Sequence, residues 1–248
     1  MGSRAERMKR FIARAVLLAM AGGAAHAADP GYYVVTVYDN PGIRTLDLRY
    51  WTFTPTGGHI VYWPEVGLGW NPTGPWYTEF LASYIGSAQT PTILSTWEWQ
   101  NDVLVTRGQF PFDLAIHTLY SRPRDAAGSS LEIGPVFQTE FTRTQVNANV
   151  FVVRGLGGQA SEPTELRYQW QVRQHWHPLL NFGAQGFGEL GPWDDWLPAQ
   201  QQSHRAGPAI FGHVRVGPGD LGWQAAYLWG KTYGIRGDMF TMRVKYEF

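Results

Sequence analysis

Glu165, Arg167, Gln169, Gln171 and Arg173 occupy every second position of one stretch, with Leu166, Tyr168, Trp170 and Val172 between them. Side chains alternate across an extended backbone, so the polar groups share one face and the apolar groups share the other. Asn147 and Asn149 before this stretch, and Asn181 and Gln185 after it, follow the same rule. Adjacent strands lie about 4.8 Å apart, close enough for these side chains to form one hydrogen-bonding patch. Arg167 and Arg173 then require acids, and Glu132, Glu140, Glu165 and Glu189 are the candidates. Two outcomes are open for such an enclosed patch. It is a polar constriction that selects solutes by charge and size, formed by Glu140, Asn147, Asn149, Glu165, Arg167, Gln169, Gln171, Arg173 and Gln185. Alternatively, it is a cross-brace of ion pairs that fills a narrow interior.

Other reactive residue types are placed less well for chemistry. His117 and Ser121 share a face, but four residues along a strand span roughly 13 Å, too far for a nucleophile and its base to share a hydrogen bond. A lipid hydrolase built on this pair is therefore the weakest reading, and no catalytic residues are assigned. His175 and His177 share a face before the chain turns at Pro178, with no third ligand at metal-binding spacing. The chain has no Cys, which removes disulfides and thiolate metal sites. Trp193-Asp194-Asp195-Trp196 has the look of a loop tip carrying aromatics. No Gly-rich phosphate loop, heptad repeat or basic aromatic patch is present, so neither a metal nor a cofactor is expected.

The elements that position these residues are short alternating strands. Leu46, Leu48 and Tyr50 oppose Asp47 and Arg49; Val66, Leu68 and Trp70 oppose Glu65; Trp76 and Phe80 oppose Tyr77 and Glu79. The same phase runs through Phe112–Tyr120, Leu131–Phe141, Val146–Val152, Leu180–Glu189, Arg205–Arg215 and Leu221–Trp229. Thr92–Gln100 is less regular, since Trp97 and Trp99 fall on the same face as Ser95. About twelve strands result, each about ten residues long, which suits a tilted crossing of a hydrocarbon layer. Tight turns at 71–75, 143–144, 177–178 and 217–220 alternate with longer connectors at 122–129, 155–163 and 191–203, and only the connector at 102–109 fits this poorly. A mean hydropathy of −0.26 does not suit a helical membrane bundle. Alternating strands reconcile it with an aromatic content of 15%.

The last strand is the clearest. Phe240, Met242, Val244, Tyr246 and Phe248 share one face, while Thr241, Arg243, Lys245 and Glu247 share the other. Its aromatic end resembles the closing strand of bacterial outer-membrane barrels, and that resemblance implies a membrane-anchoring terminus read by the barrel-insertion machinery. At the other end, residues 1–27 combine a basic start, a short apolar run and Ala25-His26-Ala27, the pattern of a cleaved secretory signal peptide. That leader holds five of the 20 basic residues and one of the 20 acids, so the remainder carries a formal charge of −4, with no excess to favour nucleic acid.

Over the mature length, Trp63-Pro64-Glu65-Val66-Gly67-Leu68-Gly69-Trp70, Glu132-Ile133-Gly134-Pro135, Ala206-Gly207-Pro208 and Phe248 resemble the small transporter-like outer-membrane barrels related to the MetA pathway of phenol degradation. The resemblance implies passage of small molecules. The expectation is an all-β chain: a transmembrane antiparallel up-and-down barrel over residues 43–248. Residues 28–42 form a short segment in the periplasm or at the barrel base. The barrel is monomeric, sits among outer-membrane lipids, and acts as a passive channel or diffusion route for a small-molecule solute. The alternative is a structural envelope barrel with a plugged lumen.

Overall fold

A computed structural model describes residues 32–37, 41–106, 108–125, 128–157 and 163–248. The signal-peptide expectation lies outside the described residues. Twelve strands follow one another: β1 (Arg44–Pro55), β2 (Val61–Trp70), β3 (Trp76–Ser87), β4 (Thr90–Leu104), β5 (Phe112–Pro123), β6 (Ser129–Phe141), β7 (Thr144–Leu156), β8 (Glu165–His177), β9 (Leu180–Pro192), β10 (Ser203–Val216), β11 (Gly219–Thr232) and β12 (Ile235–Glu247). Each pairs antiparallel with the next, and β12 returns to β1 with Leu46 opposite Tyr246 and Arg49 opposite Arg243, closing the barrel. Closure leaves no sheet edge with unpaired backbone groups, the condition for strands to exist in hydrocarbon. The fold is a transmembrane β-barrel of the up-and-down type.

Its two surfaces are inverted relative to a water-soluble barrel. Leu68, Phe80, Trp97, Trp99, Val150, Phe182 and Tyr227 stand exposed on the outside, Leu68 at 66% and Phe80 at 61%. Inside, Asp47, Glu79, Gln100, His117, Asn147 and Gln171 are fully buried. Aromatic rings cover weak points of the outer wall: those of Trp170 and Tyr168 lie over Gly186 and Gly188 of the neighbouring strand. In the terminal strand, Met242 and Phe248 are exposed outward, whereas Thr241, Arg243 and Lys245 are buried within.

Two local features explain what the alternation blurs. Between β3 and β4 the register shifts at Ser83/Tyr84, so that Ser83 opposes Thr96 while Tyr84 opposes Leu94. Ser95 is the extra residue of a β-bulge, its hydroxyl donating to the Ser83 carbonyl. Past it, Thr96, Glu98, Gln100 and Asp102 turn inward and Trp97 and Trp99 outward. The second feature is the prolines. Pro64, Pro135 and Pro208 each lie in a strand where one neighbouring ladder is interrupted, between Tyr62 and Glu65, Ile133 and Val136, and Ala206 and Ala209 respectively. Proline has no N–H to give on that side. At Gly207 a Cβ would sit 1.9 Å from the Tyr227 carbonyl oxygen, so only glycine permits the approach.

At the end of the barrel that carries Phe248 and the start of β1, three connections are tight, at Thr142-Arg143, Pro178-Leu179 and Gly217-Pro218. The longest connection, between β9 and β10, lies at the far end and carries Trp193 and Trp196, both exposed. The alternation of short and long is not strict, because the far-end turns β3–β4 and β11–β12 are also tight.

Residues 32–37, from the segment expected in the periplasm or at the base, run inside the barrel. Tyr32, Tyr33, Val34 and Val35 are all buried. The chain bends at Tyr33 and has no regular secondary structure there, and its side chains diverge to opposite walls. Tyr32 and Val34 pack with Trp51, Phe53, Trp63, Phe187, Phe211 and Leu228. Tyr33 and Val35 pack with Ala115, Val136 and Phe151.

Candidate functional site

The lumen is lined by charged and amide side chains contributed from nearly every strand, each placed inward by its parity. One network starts at the seam. Asp47 of β1 accepts from Arg243 Nε at 3.0 and 2.9 Å and from Arg49 Nε at 2.9 Å, and Arg49 continues to Glu79 of β3. A second crosses four strands. Gln100 Nε2 donates to Asp102 at 2.6 Å, Asp102 holds His117 Nδ1 at 2.6 Å, and His117 Nε2 lies 3.5 Å from Glu132. Glu132 and Glu165 then flank Arg167, each at 3.5 Å. A third anchors Arg205 between Glu189 and the Thr232 hydroxyl, the latter at 2.7 Å. Removing one partner of such a pair would leave a buried charge without its counter-charge, so the sets are mutually dependent.

The inner segment, residues 32–37, held within this lining is tied to all three networks. Tyr33 donates its hydroxyl to Gln100 Oε1 at 2.7 Å, and the Arg49 guanidinium lies 3.5 Å from its ring centroid. Tyr32 donates to Glu189 at 3.3 Å beneath the guanidinium of Arg205, with the Trp51 ring edge-on at 4.7 Å. The backbone is bound as well: Val35 N–H donates to Gln169 Oε1 at 3.0 Å, and Asn149 Nδ2 donates to the Val35 carbonyl at 2.9 Å. Asn149 also donates to Gln169, at 3.1 Å. Two amides of the expected patch thus act as a clamp on the chain's own N-terminal segment.

The structure separates the remaining patch residues. Gln171 donates to Gln185 at 3.1 Å and Gln185 to Thr241 at 3.1 Å, a buried amide rail across β8, β9 and β12. Asn147 joins Gln138 and Gln145 on β6 and β7. Arg167 gains the acids it needs, Glu132 and Glu165. Arg173 gains none among the described residues: its contacts are Gln171 Oε1 at 3.4 Å and the face of Phe211 at 4.4 Å. Glu140 sits exposed at the base, 3.9 Å from His175. His177 accepts the Leu179 N–H at 3.2 Å within the turn. Ser121 donates to Glu98 at 3.2 Å and shares no hydrogen bond with His117. Among the described residues no cluster of His, Cys, Asp or Glu has metal-holding geometry.

Sequence reasoning missed the densest charge cluster, Asp47, Arg49, Glu79 and Arg243. Each is visible as the polar member of an alternating strand, but their meeting depends on which strands close the barrel.

The fold has solved counterparts. The chain is similar to the KdgM porin, with a TM-score of 0.57 and 7% identity over 82% of this chain and 99% of that one. It is also similar to an outer-membrane channel from Pseudomonas putida F1, with a TM-score of 0.63 and 9% identity over 89% of this chain and 99% of that one. At these identities the likeness is one of architecture. No family profile and no curated protein sequence matches the chain.

Proposed function

We propose that the protein is an outer-membrane β-barrel that lets a small molecule diffuse passively along its lumen. The observation that carries this reading is the inversion of its surfaces: an apolar wall facing outward around a closed interior of ion pairs and amides, which requires lipid outside and a polar path or filling within. The likeness of fold to a porin and to an outer-membrane channel supports it. Exported by the leader at residues 1–27 and inserted through the Phe240–Phe248 strand, the chain works as a monomer without a cofactor. The motifs around Trp63-Pro64, Gly134-Pro135 and Gly207-Pro208 favour placement among the transporter-like barrels related to the MetA pathway of phenol degradation.

A second reading is favoured by one observation, the occupation of the lumen by residues 32–37. A barrel whose interior is permanently filled would serve the envelope as a structural element. Proteoliposomes containing the purified chain separate the two. The channel reading expects them to swell in isotonic arabinose at a rate above protein-free liposomes, and not in the larger sugar stachyose. Identical behaviour of loaded and empty liposomes in arabinose would favour the sealed barrel. Location is tested separately by fractionation, with the chain expected in outer-membrane vesicles.

A further inference from the structure

Inside the lumen, charge is matched almost everywhere. Arg49, Arg167, Arg205 and Arg243 each face at least one carboxylate within 4.0 Å. Arg173 is the exception among the inward arginines of the described strands. Among the described residues its Nε is buried with no hydrogen-bond partner, and the only polar group bonded to its guanidinium is an amide oxygen. Arg173 is half-buried, so its guanidinium is shielded in part from solvent without a protein counter-charge and fronts the space beside it.

What lies beside it is a cavity of about 210 Å³ at the Phe248 end of the barrel, walled by β8 to β12 and by Thr36 of the inner segment. At roughly 30 Å³ per water this is space for about seven waters or a small organic acid. Its polar lining is rich in donors. Asn181 commits its Oδ1 to the Trp176 N–H at 2.9 Å, which leaves its amide NH2 as the group able to meet a ligand. His213, Gln224 and Lys245 line the same space. The acids nearby are already matched: Glu247 lies 3.0 Å from Lys245, and Asp47 binds Arg243. The charge of Arg173 is therefore the one left for an occupant. Gly222 keeps the floor open, since a Cβ there would meet nothing nearer than the Lys245 carbonyl oxygen at 3.9 Å.

We propose that this cavity is a binding site for a small oxyanion, held by the planar fork of Arg173 with the Asn181 amide as a second donor. A guanidinium matches the two oxygens of a carboxylate or phosphate with paired hydrogen bonds, where an ammonium offers only a point charge. The site selects small anions at one mouth of the lumen, a consequence for transport that rests on the channel reading, although binding does not.

The test is titration calorimetry of the detergent-solubilised full chain at low salt, with succinate, inorganic phosphate and the uncharged analogue succinamide as probes. The wild type is compared with Arg173→Gln, Arg173→Lys and Gly222→Leu, each checked for folding by its heat-dependent gel shift. Saturable binding of succinate or phosphate, absent for succinamide, is expected. Arg173→Gln should weaken it at least tenfold, Arg173→Lys should retain part of it, and Gly222→Leu should weaken it by filling the space with every charge intact. Succinate without phosphate would make the ligand an organic acid; both would make the site a general oxyanion site. No saturable binding to the folded wild type, or binding unchanged in Arg173→Gln, overturns the proposal. Binding in a barrel that never conducts would sink the channel reading alone, and conduction without binding would sink this inference alone.

Discussion

Arg167 and Arg173 lie on the same strand, on the same face, six residues apart, and they live in different environments. Arg167 sits between Glu132 and Glu165 in the middle of a network that reaches His117 and Asp102. Arg173, about 20 Å further along the strand, is paired with no carboxylate among the described residues and opens onto a cavity whose one acid, Glu247, is held by Lys245. Residue type and parity are the same for both. What differs is the depth at which neighbouring strands present carboxylates, and depth separates a brace from a potential binding group.

The comparison can be broken most severely at the seam. Asp47→Ala would leave Arg49 with Glu79 and the more distant Glu65, 4.0 Å away, and remove the carboxylate held by Arg243; a loss of about 3–5 kcal/mol is expected, as for one partner of a buried set. Urea titration of the barrel in detergent, followed by tryptophan fluorescence, measures it, and a midpoint unchanged from wild type would deny that the network braces the fold. A smaller loss is expected for Arg167→Gln, about 1–3 kcal/mol, because Glu132 keeps only His117 and Glu165 loses its partner. The same titration applied to Arg173→Gln should show the least, under about 1 kcal/mol in either direction, since no carboxylate is orphaned. Equal losses at the two arginines would mean that both serve as braces.

How far the sequence already shows this contrast follows from what alternation encodes. It tells which way each side chain faces, and the outward rows at Leu68, Phe80, Val150 and Tyr227 and the inward rows at Glu79, Asn147 and Gln171 follow directly from it. It fails at Ser95, where one inserted residue reverses the parity of Thr96–Asp102 relative to what precedes it. It is silent on which inward groups meet, because Asp47 and Arg243 are joined only by closure of the whole sheet. The pairing of Arg167 with Glu132 and Glu165 was among the combinations open from composition, yet nothing in the spacing sets Arg173 apart. Nor does Tyr32-Tyr33-Val34-Val35 announce its place: an apolar run of that length specifies burial, not what buries it, and the answer lies in the lumen lining of strands far along the chain.

The inner segment, residues 32–37, also controls whether the lumen conducts. Its hold depends on two tyrosines, each under a guanidinium and each donating to a lumen acceptor. Single-channel recording in planar bilayers of the wild type and of the double variant Tyr32→Ala/Tyr33→Ala is the most direct test. The account predicts discrete conductance steps in the wild type and larger or longer-lived ones in the variant. Silence from both proteins, with their barrels shown to be folded, would contradict a passage through this lumen.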